Sequence, residues 1–263
     1  MVVVAHPGDE AFGFAGAIAT AAAQGAYVVV VCATRGYFDR RLRIKAPAPG
    51  GRNRDATQPI GWRNLDTVRE DEMRRSVAVL GVRVLRMLDY AEDELPSADR
   101  DLLVGRIVET IRMHRPEVIL TFGPEGVTGD RDHVVLSEAV SAAVGAAAEP
   151  LAYEDDLEED QVGWRIAKLY HLVVPATSLG DRAPEAGYGS ADADGTLTVG
   201  LGELAPLKLA AISRHISQTG SEGPFHGWDP AQREAYLASE YYRLALSNLP
   251  AGSNGIGLLD GLS

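Results

Sequence analysis

The chain has 263 residues, of which 46% are hydrophobic and 24% charged, a balance ordinary for a globular protein. Its formal net charge of −12 argues against a nucleic-acid-binding surface, because phosphate binding needs clustered Lys and Arg. No stretch approaches the roughly 20 apolar residues that span a bilayer. One cysteine, Cys32, excludes an internal disulfide, and the N-terminus lacks the basic region of a signal peptide, so we expect a cytoplasmic location.

Short apolar runs alternate with amphipathic stretches through the first 150 residues. The pattern predicts, in chain order, a strand at Val2–Ala5, a helix at Asp9–Gln24, a strand at Tyr27–Ala33, a helix at Thr67–Leu80, a strand at Val82–Leu88, a helix at Asp99–His114, a strand at Glu117–Phe122 and a helix at Asp132–Ala147. A long polar segment rich in Gly and Pro, Arg35–Asp66, interrupts the series. Such alternation is typical of an α/β fold, a mostly parallel sheet flanked by helices.

The C-terminal third is less regular. It contains an acidic connection at Glu154–Asp160, a strand at Ile166–Pro175, hairpin or loop residues at Asp181–Gly202, helices at Leu204–Gln218 and Pro230–Leu246, and a tail rich in Gly and Ser after Pro250. We therefore predict a single domain over residues 1–263, with an irregular strand and loop region at 151–203.

Two motifs follow predicted strands. Ala5–Glu10, read Ala-His-Pro-Gly-Asp-Glu, comes at the end of the first strand, and Gly129–His133 opens the helix after the fourth. Functional groups in open α/β sheets collect at the carboxyl ends of strands. Imidazole and carboxylate together suit zinc, and three protein ligands leave a position for water. His6, Asp9 and His133 are therefore candidate ligands for Zn²⁺.

A purely structural interpretation remains open for each of these residues. Asp9 and Asp132 are ordinary residues for helix N-termini, and Asp132 either orients a ligand or binds its own helix N-terminus. A lone histidine at a strand end is more often structural than a ligand. We assign structural roles to His114, at a helix C-terminus, and to His171, within a strand. From spacing alone, the structural and metal-binding interpretations stay balanced.

Several blocks, taken in order, resemble the PIG-L/LmbE family of zinc-dependent N-acetylglucosaminyl deacetylases. Ala5–Glu10 is similar to the family's A-H-P-D-D-E, and Gly129–His133 is similar to its G-H-P-D-H. Between them, Arg69–Glu72 resembles the family's R-x-x-E helix. Near the C-terminus, Lys208 and His215–Gln218 resemble a K…H-x-S-Q segment. The blocks span residues 2 to about 218.

The resemblance implies a Rossmann-like fold and a zinc ion held by His6, Asp9 and His133. It also implies hydrolysis of an acetyl group from an N-acetylated amino sugar or a related small amide, with Arg69 and His215 contacting the substrate. A homo-oligomer is a further expectation. Without a ligand, Arg69 has an ordinary alternative as an exposed helix arginine paired with Glu72 or Asp66.

The chain departs from the family pattern at both groups expected to move protons. Gly8 stands where the family has its general-base Asp, and Asp130 stands where it has a His. Three hypotheses follow: Asp130 has taken over as the base, assisted by Asp132; the protein binds a metal and a sugar with weak or no catalysis; or the reaction differs. We favour the first, although Asp130 is also a common turn residue. Glu10 is expected to point along its helix.

The Rossmann-like architecture that is predicted is also typical of nucleotide-binding proteins. No G-x-G-x-x-G joins the first strand to its helix, and Gly13 and Gly16 lie within the predicted helix. The sequence therefore disfavours a dinucleotide site. The Gly220–Trp228 segment, which is rich in aromatic residues, is a candidate lining of a substrate cleft.

Overall fold

Seven strands form one mixed sheet in the order β3-β2-β1-β4-β5-β7-β6. The computed structural model describes residues 1–36, 65–153, 162–174, 196–220, 225–250 and 257–262. The strands are β1 (Val2–Val4), β2 (Val29–Thr34), β3 (Val84–Tyr90), β4 (Val118–Phe122), β5 (Lys168–Val173), β6 (Thr196–Gly200) and β7 (Ser239–Ser247). Strands β1 to β5 pair in parallel, whereas β7 runs antiparallel to both β5 and β6.

Nine α-helices of the described residues pack around this sheet. They are α1 (Asp9–Phe12), α2 (Ala15–Ala23), α3 (Leu65–Val79), α4 (Arg100–His114), α5 (Gly126–Gly129), α6 (Arg131–Ala148), α7 (Ala205–Ile212), α8 (Ile216–Thr219) and α9 (Pro230–Ala238). Every residue of β1, β2 and β4 is buried, as parallel strands are when helices cover both faces. The predicted mostly parallel α/β sheet is confirmed. In the described part of the chain, no helix combines the length and the apolar character of a membrane span.

The order of the strands places a topological switch between β1 and β4. The chain leaves β1 toward β2 and β3 on one side, then returns to β4 on the other side, where Val2 pairs with Leu120. The loops after β1 and β4 therefore diverge from neighbouring carboxyl ends, and the crevice between them is the usual ligand position in open α/β sheets. Both candidate metal motifs follow these two strands.

The predicted single helix Asp9–Gln24 is divided in two. Helix α1 ends at Phe12 and α2 begins at Ala15, because the carboxylate of Glu240 on β7 binds backbone amides at the start of α2. It accepts hydrogen bonds from Gly16 N (2.8 Å) and Ala17 N (2.9 Å). Lys208 Nζ lies 3.0 Å from the same carboxylate. Periodicity in residues 9–24 could not reveal a partner more than 200 residues away.

Two helix predictions in the C-terminal third are also corrected. The second half of Pro230–Leu246 is strand β7. Its burial alternates with a period of two at the start, where Glu240 and Tyr242 are buried, and the strand is exposed from Arg243 onward. Pairing with β5 and β6 on both sides overrides the helical pattern. The predicted helix Leu204–Gln218 divides into α7 and α8 around residues 213–215.

Several predicted segments lie wholly or partly outside the described residues. These are 37–64 of the long polar segment, the acidic connection within 154–161, residues 175–195, residues 221–224 and residues 251–256 of the tail. The region 151–203, predicted as irregular, contributes β5 and β6 to the sheet. The single-domain organisation stays a prediction.

Candidate metal centre and its surroundings

The loop after β1 is built so that His6 and Asp9 face the same point. The backbone N–H of His6 donates to Asp9 Oδ2 (2.7 Å), which closes a tight turn. Gly8 has φ 114°, a conformation open to glycine but strained for other residues. The N–H of Gly8 donates to Glu10 Oε2 (2.8 Å), so the carboxylate of Glu10 stabilises the turn.

Three side-chain atoms from two motifs meet at this point. His6 Nδ1 lies 3.6 Å from Asp9 Oδ2, His133 Nε2 lies 3.4 Å from that oxygen, and the two nitrogens are 3.3 Å apart. Zinc bonds of about 2.0–2.2 Å in tetrahedral geometry require ligand atoms about 3.3–3.6 Å apart. The spacing therefore suits a tetrahedral ion such as zinc, and imidazole and carboxylate are both zinc ligands.

The outer nitrogen of each histidine is fixed by a second partner. His6 Nε2 lies 3.0 Å from Asp132 Oδ2, and His133 Nδ1 lies 3.1 Å from the carbonyl oxygen of Gly126. The His133 ring also stacks on Phe122, with centroids 3.9 Å apart. In the tautomers that donate to these acceptors, the lone pairs of His6 Nδ1 and His133 Nε2 face the centre.

Asp132 is held by more than His6. It is 1% exposed, and it accepts hydrogen bonds from Asp93 N (2.7 Å) and Leu95 N (3.2 Å), which follow β3. Both of its oxygens are thus used. Of the two structural roles that the sequence left open, contact with a candidate ligand is the one observed, while the cap of α6 is provided by Asp130.

The charges of this cluster raise the pKa of His6 and lower the pKa of Asp9. Burial opposes a charge on His6, yet the hydrogen bond to Asp132 and the nearby carboxylates of Asp9, Glu92 and Asp130 raise its pKa to about 9. Burial opposes ionisation of Asp9, but His133 and His6 lower its pKa to about 2. The pocket is therefore electrostatically arranged for a positive charge, which a divalent cation supplies.

Asp130 combines a structural contact with a position beside the candidate ligands. Its Oδ1 accepts from Asp132 N (2.8 Å) and His133 N (3.2 Å) and so caps α6. A carboxylate oxygen of Asp130 and nitrogens of His6 and His133 lie within 4.8 Å of one another. Asp9 Oδ2 lies 3.4–3.6 Å from the same histidines, so Asp9 and Asp130 both border the candidate site.

Arg69 is not the exposed helix arginine of the ordinary alternative. It is 6% exposed, donates to the carbonyl oxygen of Pro7 (3.0 Å), and pairs with Glu92 Oε2 (2.5 Å), not with Glu72 or Asp66. Burial raises the pKa of Glu92, and Arg69 partly offsets that rise. Glu92 is not among the residues predicted from the sequence, although it lies two residues beyond the end of β3, at a strand end where functional groups are expected.

His215 is wholly buried against Glu10. Its Nε2 lies 2.7 Å from Glu10 Oε1, and the other oxygen of Glu10 binds Gly8 N. The ring therefore contacts the residue that fixes the metal loop, and direct contact with a substrate stays a prediction. Glu72, the Glu of the R-x-x-E block, anchors the residue two positions further along by accepting from Ser217 N (2.8 Å) and Ser217 Oγ (2.5 Å).

Residues 1–144 match the family model described as PIG-L: GlcNAc-PI de-N-acetylase. Among characterised relatives, a 1D-myo-inositol 2-acetamido-2-deoxy-alpha-D-glucopyranoside deacetylase of Streptomyces scabiei is 28% identical, and the match covers all of this chain and 89% of that protein. The enzyme of the same name from Rhodococcus jostii is 30% identical over 83% of this chain and 80% of the relative.

The fold is shared with solved structures of low sequence identity. An N,N'-diacetylchitobiose deacetylase from Pyrococcus horikoshii superposes with a TM-score of 0.68 at 20% identity, covering 92% of this chain and 82% of that one. A 4-carboxy-2-hydroxymuconate hydratase from Pseudomonas putida has a TM-score of 0.64 at 17% identity, covering 95% and 96%. The same architecture is thus found in proteins with different named activities.

Proposed function

The chain belongs to the PIG-L family, and we propose that it is a zinc-dependent hydrolase that removes the acetyl group from an N-acetylated amino sugar. The observation that carries the proposal is the spacing of 3.3–3.6 Å among His6 Nδ1, Asp9 Oδ2 and His133 Nε2, which suits one tetrahedral zinc. The named substrates of its relatives, an inositol glycoside of N-acetylglucosamine and diacetylchitobiose, point to a glycoside of N-acetylglucosamine.

Zinc bound by these three side chains would supply a water of lowered pKa and polarisation of the amide oxygen. The protein's own contribution begins with orientation. Asp132 holds the ring of His6 and the Gly126 carbonyl holds the ring of His133, so both ligands are fixed before a metal arrives. We assign Asp132 this orienting role in place of direct proton transfer, since His6 and two backbone amides occupy its oxygens.

Asp130 is the residue that we assign as general base. Its Oδ1 is engaged by two backbone amides, which fixes the carboxylate, and Oδ2 has no hydrogen-bond partner among the described residues. A proton taken from the attacking water at Oδ2 is later delivered to the leaving amine, as the hydrolysis of an amide requires. This role replaces the carboxylate that Gly8 lacks.

We propose that Arg69 acts on the substrate together with Glu92. Arg69 is buried, whereas Glu92 is half-buried and lies close enough to His6 for its charge to raise the pKa of that histidine. A carboxylate with a fixed guanidinium behind it suits hydrogen bonds to sugar hydroxyls. His215 would act through Glu10, by holding the loop that carries His6 and Asp9.

A second candidate function is a protein that binds a metal and a sugar with little or no turnover. The observation that favours it is Gly8, which offers no side chain to accept a proton where the related enzymes have their base. The metal centre would be identical in both cases. Only turnover separates the two candidates.

The test is release of acetate by the zinc-loaded protein, measured with metal content on the same sample. The substrates are N-acetylglucosamine, its inositol glycoside and N,N'-diacetylchitobiose. Turnover should exceed that of a His6→Ala variant, and His133→Ala should lose zinc. One zinc per chain without acetate release from any substrate would favour the binding protein, and a His133→Ala variant that retains zinc would refute the ligand set.

A further inference from the structure

The loop after β3 is held by the same carboxylate that orients His6. Oδ2 of Asp132 lies 3.0 Å from His6 Nε2 and also accepts from Asp93 N (2.7 Å). The other oxygen, Oδ1, accepts from Leu95 N (3.2 Å). Glu92, the carboxylate that we assign to the substrate, directly precedes Asp93. One buried side chain therefore joins a candidate metal ligand to the backbone beside a candidate substrate ligand.

A second connection joins the same two loops through Arg69. Its guanidinium donates to Glu92 Oε2 (2.5 Å) and to the carbonyl oxygen of Pro7 (3.0 Å), the residue after His6. Arg69 and Asp132 are both buried, so water competes little for these contacts. The contacts and the short chain segments between them form a closed ring. Within this ring Glu92 is held twice, by its own side chain and through the backbone of the next residue.

The loop after β3 depends on these contacts for its shape. Asp93 is exposed and has φ 65°, a left-handed conformation that is uncommon for residues other than glycine. The turn itself closes through a hydrogen bond of 3.3 Å, from Glu94 N to Ala91 O. The hydrogen bonds that Asp93 N and Leu95 N donate to Asp132 are shorter. We therefore expect the order of this loop to follow that of its anchor, Asp132.

We propose that Asp132 is a positioning residue for Glu92 as well as for His6, so that an occupied metal site orders the loop that contacts the sugar. The sugar contact rests on the proposed function, whereas the coupling between the loop and the metal site does not. A metal at Nδ1 fixes the His6 ring, the ring fixes Asp132, and Asp132 keeps its two backbone donors in place. Metal and sugar then favour each other's binding through the protein, in addition to any direct contact between them.

Amide hydrogen exchange of Asp93 and Leu95, measured with and without zinc, tests the coupling in the absence of a substrate. Zinc should slow the exchange of both amides about fivefold or more, the lower range of a coupling between two sites. Asp101 and Leu102 are the matched control, because their amides donate to the side chain of Asp99 in the same way but at the start of α4. A general stabilisation by zinc slows the control pair as well, so equal slowing of the two pairs overturns the proposal.

Sugar binding to the metal-free protein tests the effect on Glu92. Chelator-treated Asp132→Asn should bind the inositol glycoside of N-acetylglucosamine about fivefold more weakly than the wild type, because asparagine keeps a single acceptor oxygen for these donors. His6→Asn leaves Asp132 with both loop amides, so its metal-free form should bind the sugar nearly as well as the wild type. No loss in Asp132→Asn, or an equal loss in both variants, contradicts the role of Asp132 at Glu92.

The failure of the proposed function would look different. If Glu92→Gln leaves sugar binding unchanged, or if the metal-free wild type binds no sugar, then the sugar contact assigned to Glu92 is wrong. The hydrogen-exchange experiment still decides the coupling between the loop and the metal site. A protein that releases no acetate refutes the hydrolase, yet neither the exchange nor the binding measurement needs turnover.

Discussion

Nε2 of His6 lies 3.0 Å from Oδ2 of Asp132, and this contact decides which nitrogen of the histidine faces the metal position. The imidazole donates through Nε2–H, so the lone pair of Nδ1 is directed at Asp9 and His133. Asp132 is itself fixed by the amides of Asp93 and Leu95, which follow β3. Segments that follow three strands of the sheet, β1, β3 and β4, thus contribute to the orientation of one ligand.

Asp132→Asn should weaken zinc binding by about 10- to 100-fold, the usual cost of losing a carboxylate behind a histidine ligand. Asparagine has one acceptor oxygen, so it cannot accept from His6 and from both backbone amides. Titration against a competing chelator measures the change. Asp71→Asn, at an exposed pair on α3, is the control and should leave the affinity unchanged. An Asp132→Asn affinity within twofold of wild type would contradict the orienting role.

In the metal-free protein, the contribution of His6 to stability should be lost between pH 6.5 and 9. Its carboxylate neighbours raise the pKa of His6 to about 9 against the opposing effect of burial. A group whose pKa is higher in the folded state contributes stability that is complete below the unfolded pKa of 6.5 and is lost as pH rises through 9. Burial lowers the pKa of the Met1 amino group to about 5, and this shift favours the folded state increasingly up to pH 8. In thermal unfolding of chelator-treated protein at pH 6, 7.5 and 9, the Tm of the wild type should therefore fall relative to that of a His6→Asn variant.

Zinc should reverse this trend. A metal ligand must be unprotonated, so binding displaces the proton and the gain in Tm on adding zinc should grow over the same pH range. The His6→Asn variant retains the Met1 amino group, so the difference between the two metal-free Tm profiles isolates His6. Parallel profiles of the two metal-free proteins would show that His6 is not protonated in this setting.

Much of the fold and the grouping of the candidate ligands were predictable, because they depend on local pattern. The buried runs at β1 and β4 and the amphipathic helices α4 and α6 appear within a few residues of their predicted bounds. The rule that functional groups collect at strand ends located His6, Asp9 and His133 before any contact was known. Local pattern sufficed because each of these residues lies directly after a strand or near the start of a helix.

The rest depends on contacts between distant segments. The break between α1 and α2 is made by Glu240, and the metal loop is supported by His215 through Glu10. No periodicity in residues 1–36 encodes those partners. Strand β7 was predicted as helix because its sequence pattern is ambiguous until β5 and β6 pair with it on both sides.

Arg112 should be a major determinant of stability, and it has no role at the metal centre. Its buried guanidinium donates to a group of backbone carbonyls at and beyond the C-terminus of α6, those of Ala146, Ala147, Glu149 and Ala152. Removing it leaves buried acceptors without donors, so Arg112→Met should cost about 2–4 kcal/mol of unfolding free energy.

Urea unfolding of Arg112→Met at fixed zinc concentration measures that cost. Arg100→Met is the matched control on the same helix, because Arg100 is exposed and its ion pair is with Glu138, which is also exposed. Its effect should stay below about 1 kcal/mol. Equal effects of the two substitutions would show that the α6 carbonyls find other donors.

Asp130→Asn separates the proposed general base from a plain helix cap. Asparagine caps a helix about as well as aspartate, so unfolding free energy and zinc content should remain near wild type. It cannot accept a proton, so kcat/KM should fall by ~10²–10⁴. Asp130→Ala should lose the same activity and, in addition, about 1 kcal/mol of stability.

Asp99 offers a matched control, because it caps α4 through Asp101 N (3.0 Å) and Leu102 N (3.1 Å) just as Asp130 caps α6. Asp99→Asn should be silent, and Asp99→Ala should cost about 1 kcal/mol with unchanged turnover. If Asp130→Asn behaves like Asp99→Asn in both measurements, then Asp130 is a cap and nothing more. Asp130 would then not replace the catalytic carboxylate that is missing at Gly8. That result would support the second candidate function, a protein that binds a metal and a sugar with little or no turnover.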